Sequence, residues 1–96
     1  MSQNSSENPV IDNVGRSRFE LVEQGLTAFA DYRREPGRLI IPHVEAPPAL
    51  RGAGTAGRLM KGVAEQARSA GETIVPLCGY AAAWLRRHPE YEDLVD

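Results

Sequence analysis

The sequence predicts a single α+β domain: a mixed, mostly antiparallel sheet of about five strands carrying two main helices, in the order β-β-β-β-α-β-α. Three observations predict it. Apolar and polar residues alternate through the first half of the chain, the period of strands with one buried face. After Pro47-Pro48 the apolar residues recur every three or four positions instead, the period of a helix. Gly25, Glu35-Pro36-Gly37, Pro47-Pro48, Gly71 and Pro89 separate these runs, as turn-forming residues should.

Each element follows from local chemistry. Residues 1–8 (MSQNSSEN) are polar with nothing to bury and are expected to form a disordered tail, leaving 9–96 as the domain. Val10-Ile11-Asp12-Asn13 is a short apolar stub before a turn at 13–15. From Arg18 to Glu23 the alternation puts Phe19, Leu21 and Glu23 on one face, and Gly25 ends the run. Leu26, Ala28, Ala30 and Tyr32 form one side of the next strand, and Glu35-Pro36-Gly37 is a turn by composition. Residues 38–45, rich in Leu39, Ile40, Ile41 and Val44, predict a fourth strand. Ala56, Leu59, Met60, Val63, Ala64 and Ala67 then define the buried face of a helix that starts at Thr55 and stops at Gly71. Residues 73–77 predict a short buried strand, and 81–88 a second helix with Trp84, Leu85 and His88 on one side, ended by Pro89.

Composition narrows the function. The chain has 96 residues, enough for one domain with roughly two-thirds of its unfolded surface buried. A net charge of −2 gives no general attraction to nucleic acid or to an anionic membrane. A local basic patch at Arg51, Arg58 and Lys61 is the exception. One cysteine excludes an intrachain disulfide and points to a reducing, cytoplasmic setting. The polar N-terminus reads as neither signal peptide nor membrane anchor, and one cysteine with two histidines at no ligand spacing makes no metal site.

The most informative stretch is Arg51-Gly52-Ala53-Gly54-Thr55-Ala56-Gly57-Arg58, which follows a strand and opens an amphipathic helix. The first turn of a helix has unpaired N–H groups and a partial positive charge, and small side chains let a phosphate reach them. Residues 52, 53, 54, 56 and 57 are all glycine or alanine, with Arg51 and Arg58 adding charge alongside. Gly52-x-Gly54-x-x-Gly57 also fits the dinucleotide fingerprint of NAD or FAD proteins. That reading is rejected, because four strands precede the motif and Glu72 falls before the following strand instead of at its end. A Walker A loop is excluded by the absence of Gly-Lys-Ser/Thr.

Arg51-x-x-Gly54-x-Ala56 resembles the Q/R-x-x-G-x-G/A motif of the GNAT acetyltransferases. The likeness is greater to a minimal, single-domain GNAT subgroup and extends over 10–95. It rests on His43-Val44-Glu45-Ala46-Pro47 leading into the glycine loop, then Pro76-x-Cys78, then His88-Pro89-Glu90-Tyr91-x-Asp93-Leu94-Val95. Where that subgroup usually has threonine after the histidine, valine before the proline and an aromatic before the arginine, this chain has Val44, Ala46 and Leu50.

The resemblance implies a GNAT-like fold with acetyl-CoA as cosubstrate. Its diphosphate would be held by Arg51, Gly52, Ala53, Gly54, Thr55, Ala56 and Gly57, and its pantetheine arm by the backbone of Val44, Glu45 and Ala46. It also implies a cleft where the strands matching 38–45 and 73–77 splay, with His43 and Cys78 near the thioester as the catalytic candidates. Cys78 could carry the acetyl group. An amine could instead attack directly, with His43 or Glu45 taking its proton and Tyr80 protonating the departing thiolate. The expected activity is acetyl transfer to a small-molecule or protein amine, by a monomer or weak homodimer. The alternatives are a coenzyme-A-binding module without turnover and a plain interaction domain.

Overall fold

The computed structural model describes residues 8–96; the tail expected over 1–8 lies, apart from Asn8, outside them. Five strands form one sheet in sequence order: β1 (Ile11–Asn13), β2 (Arg18–Glu23), β3 (Leu26–Glu35), β4 (Arg38–Glu45) and β5 (Thr73–Pro76). β1 to β4 pair antiparallel and β4 pairs parallel with β5, so the parallel step needs a crossover, supplied by α1 (Thr55–Ala70). A second helix, α2 (Gly79–Arg86), and a 3-10 segment (Pro89–Leu94) complete the chain.

The helix period foreseen for α1 is realised with one change. Leu59, Met60, Val63, Ala64 and Ala67 are buried, but the first buried residue is Thr55, while Ala56 is half-exposed. Leu59, Met60, Val63, Ala64 and Ala67 join Ala81, Trp84 and Leu85 of α2 and Phe19, Leu21, Ala28, Ala30, Leu39, Ile41 and Ile74 of the sheet in one hydrophobic cluster. Both helices therefore share the core on one side of the sheet. The opposite face carries Arg18, Glu20, Phe29, Asp31, His43 and Glu45, as the cross-strand register requires.

Three differences from the expected boundaries have physical reasons. β3 runs on to Glu35, past the end of its apolar alternation, because Arg33, Arg34 and Glu35 pair with Ile40, Leu39 and Arg38 across the hairpin. α2 spans Gly79–Arg86, so it begins earlier than expected and leaves His88 outside, capping the 3-10 segment that Pro89 opens. Leu77 lies beyond β5 and is exposed, since both its amide and that of Cys78 turn back to the Ile41 carbonyl, at 3.0 and 3.1 Å. Among the described residues, no helix is long and apolar enough to cross a membrane.

The feature that positions the candidate site lies in β4. Asp31 pairs with His43 and Arg33 with Ile40, so Ile41 and Pro42 together face Tyr32 as a bulge. Proline suits this place because it has no amide to give the ladder. Past the bulge, the β4–β5 pairing ends at Ile41 and Pro76, while β4 continues to Glu45 paired with β3 alone. The two parallel strands thus fork at Ile41, and among the described residues the β5 side of residues 43–45 has no strand partner.

Candidate functional site

The glycine-rich loop sits at the mouth of this fork. Pro48–Leu50 forms a 3-10 turn, the chain loops through 51–54, and α1 starts at Thr55. Gly54 is the N-cap with φ 82°, a left-handed conformation that a side chain at this position would strain. A Cβ there would also stand 2.9 Å from Arg58 Nη1. Among the described residues no side chain caps this end of the helix. Among the described residues, the amides of Gly52, Gly54, Thr55, Ala56 and Gly57 have no acceptor, whereas Ala53 N–H donates to Leu50 O at 3.1 Å and Arg58 N–H to Gly54 O at 3.1 Å. A helix N-terminus with its amides unclaimed and only small side chains around it is suited to bind an anion.

The loop is held from below by a carboxylate that the motif does not contain. Thr55, only 1% exposed, donates from Oγ1 to Glu23 Oε1 at 2.6 Å. Arg58 donates from Nε to Glu23 Oε2 at 2.7 Å and from Nη2 to Glu23 Oε1 at 2.8 Å. The same Nη2 reaches the Ala53 carbonyl at 2.7 Å. The Arg58 hydrogen bonds, followed by that of Thr55, bring the Glu23 carboxyl down to about 2. Its sequence signal was a charged residue on the same strand face as Phe19 and Leu21.

Beside the loop, a cavity of about 430 Å³ opens between the start of α1 and the C-terminal part of the chain, lined among others by Gly54, Gly57, Lys61, Trp84 and His88. Gly57 packs close to the indole: a Cβ there would lie 3.4 Å from Trp84 Nε1, at the edge of ordinary van der Waals contact. The His88 ring stacks on Trp84 with centroids 3.8 Å apart, and its Nδ1 lies 2.7 Å from the Trp84 carbonyl, which holds the ring in place at the cavity wall.

At the fork, Cys78 stands at the N-cap of α2, half-buried and packed on the core cluster, as Val44 and Ala46 also are. His43 lies on the other face of the sheet, its side chain 52% exposed. Its Nε2 is 2.9 Å from Glu45 Oε1, with the carboxylate as acceptor, and its ring is 6.0 Å from that of Phe29. Among the described residues no hydrogen bond joins Cys78 to His43, so the structure brings both to the fork but on opposite sides of β4. Tyr80 is exposed on the first turn of α2, with burial of its hydroxyl raising its pKa above the ordinary value. The described residues contain no cluster of three metal-binding side chains.

The glycine loop and both flanks of the fork lie inside the segment, residues 18–94, that matches a protein-family model described as GCN5-related N-acetyl-transferase. The fold is similar to the solution NMR structure of a GCN5-like protein from Staphylococcus aureus, with a TM-score of 0.66 and 23% identity over 96% of this chain and 91% of that one.

Proposed function

The chain belongs to the GCN5-related N-acetyltransferase family, and from that premise we propose that it transfers the acetyl group of acetyl-CoA to an amine. The observation that carries this reading is the set of unclaimed amides at 52 and 54–57, in a loop whose side chains leave room for a diphosphate. Arg51, exposed at the edge of the loop, adds a cation. The open side of β4 at Val44 and Glu45, with Ala46 just beyond the strand, gives an amide-bearing pantetheine arm an edge to pair with. An arm running from the loop along that edge ends at the fork, between His43 and Cys78.

In this reading Cys78 bonds through Sγ to the acetyl carbon as the carbon–sulfur bond of the thioester breaks, and the thiol proton goes to the departing sulfur. The amine nitrogen then attacks the same carbon and displaces Sγ, which recovers a proton from solvent. The nitrogen's own proton passes to His43, whose Nδ1 is left open by the contact of Nε2 with Glu45. Direct attack of the amine on the thioester is the shorter route: the nitrogen–carbon bond forms as the carbon–sulfur bond breaks, His43 or Glu45 takes the nitrogen's proton, and Tyr80 protonates the departing coenzyme A thiolate.

One observation favours a second reading, a coenzyme-A-binding module without turnover. The two catalytic candidates share no hydrogen bond, and Cys78 has no base as a partner among the described residues. Calorimetric titration with acetyl-CoA, with NAD as the control, separates these possibilities in sequence. Binding of acetyl-CoA alone is expected, and binding of neither removes the proposal. An acetyl increment on Cys78 by intact mass, lost in Cys78→Ala with affinity preserved, identifies the covalent route. Transfer that survives Cys78→Ala identifies direct attack, and binding with no acetylated amine or cysteine identifies the module.

A further inference from the structure

A carboxylate beside the first turn of a helix normally accepts hydrogen bonds from the free backbone amides and so closes the helix end. Glu23 lies beside the first turn of α1 and accepts none of them. Its oxygens are filled by Thr55 Oγ1 and by Arg58 Nε and Nη2, at 2.6 to 2.8 Å, and its side chain is only 13% exposed. Arg58 extends the same link to the Ala53 carbonyl. The anchored points, residues 53, 55 and 58, bracket the amides of 54–57, and every one is held through a side chain or a carbonyl rather than through those N–H groups.

Glu23 is itself fixed firmly. It ends β2 opposite Leu26, where the chain reverses through Gln24 and Gly25, both at positive φ. The β2–β3 hairpin therefore fixes a carboxylate under the loop, and the guanidinium beside it cancels its charge, so the pair does not repel an incoming anion.

We propose that Glu23 is the positioning residue of the phosphate loop: through Thr55, Arg58 and the Ala53 carbonyl it holds 53–58 in the shape that keeps the α1 amides open for the diphosphate of acetyl-CoA. This rests on the acetyl-CoA reading above. It carries a sign that electrostatics alone reverses. Removing a carboxylate next to a site for a polyanion strengthens binding if charge is what matters, and weakens it if the carboxylate holds the loop.

The test uses the full chain with Glu23→Ala and Glu23→Gln, titrated with acetyl-CoA, together with amide order parameters of Gly52, Gly54 and Gly57 measured without ligand. Glu23→Ala is expected to raise the Kd for acetyl-CoA about tenfold, because the loop that holds the diphosphate loses its anchor. Those glycine amides should fall from rigid values near about 0.85 toward about 0.6. Glu23→Gln, which keeps the shape and can still accept from Thr55, should fall between. If Glu23→Ala does not fold, Glu23→Gln and Thr55→Val carry the test, with Thr55→Ser restoring the wild-type affinity. Unchanged or tighter binding in folded variants overturns the proposal, as does an unchanged loop order. A wild-type chain that ignores acetyl-CoA while its loop order still responds to Glu23 overturns the acetyl-CoA reading instead.

Discussion

The two ends of α1 both rest on a glycine at positive φ, yet they are finished in opposite ways. At the C-terminal end, Gly71 (φ 71°) donates to Arg68 O at 3.2 Å and Glu72 donates to Ala67 O at 2.9 Å. That is the double bond of a Schellman motif, and it satisfies the last carbonyls of the helix. At the N-terminal end, among the described residues, Gly54 (φ 82°) donates to no acceptor, no side chain caps the first turn, and the polar side chains nearby hold one another instead. Stability alone calls for both ends to be closed. A helix closed at one end and left open at the other, with the open end stiffened from beneath, has the form of a binding site.

The widest separation between the ends comes from substituting the two glycines. Gly54→Val adds a β-branched side chain at positive φ and drives its Cβ toward Arg58 Nη1, 2.9 Å away, which pushes Arg58 off Glu23. Acetyl-CoA affinity should drop by about a hundredfold, the scale of a misplaced binding group; calorimetry decides it, and a wild-type Kd would break the contrast.

Acid sharpens the same contrast. The Glu23 carboxyl is held at about 2 in the fold, chiefly by Arg58 and then by Thr55, against an ordinary 4.5. Its contribution to stability is therefore complete above about pH 4.5 and fades as pH falls toward about 2. Denaturant midpoints of the wild type and Glu23→Gln should converge over that window and remain apart above it.

At the other end, Gly71→Ala meets no atom within 4 Å and bears only the strain of its backbone. A loss of about 1 kcal/mol in unfolding free energy is expected, with acetyl-CoA affinity unchanged. A loss of affinity here would mean that the two ends are coupled.

A loss of the same size arises in the C-terminal half of α1, where Tyr91 donates to Glu65 Oε2 at 2.5 Å. Burial, and then this hydrogen bond, push the Tyr91 phenol up to about 12 from 10.0. The neutral phenol is the form the fold favours, so its contribution is complete below about pH 10 and is lost as pH rises toward about 12. Tyr91→Phe should cost about 0.5–1.5 kcal/mol at neutral pH and flatten the alkaline limb of the stability curve.

Much of the fold was legible because strands and helices write their own periods into the chain. The alternation of Phe19, Leu21, Ala28 and Ala30 and the three-and-four spacing of Leu59, Met60, Val63, Ala64 and Ala67 are local patterns, and the core cluster contains all of these residues. The glycine loop was legible for the same reason, since small residues between a strand and a helix are a local fact. The 3-10 segments were not, because runs such as Pro89–Leu94 are too short to repeat a period, and Tyr91 and Leu94 are buried there by tertiary contact.

What only the tertiary structure decided is how distant residues meet. Nothing near Glu23 in the chain announces that it will hold Thr55 and Arg58, which lie 32 and 35 positions away. The fork in the sheet depends on a bulge at Ile41-Pro42 and on where β5 stops, so it too belongs to pairing rather than to either strand. His43 and Cys78 fall on opposite sides of β4 for the same reason: strand register sets the face of one, and the turn into α2 sets the place of the other. Periodicity fixes which way a side chain faces within its own element, and only packing fixes what it faces.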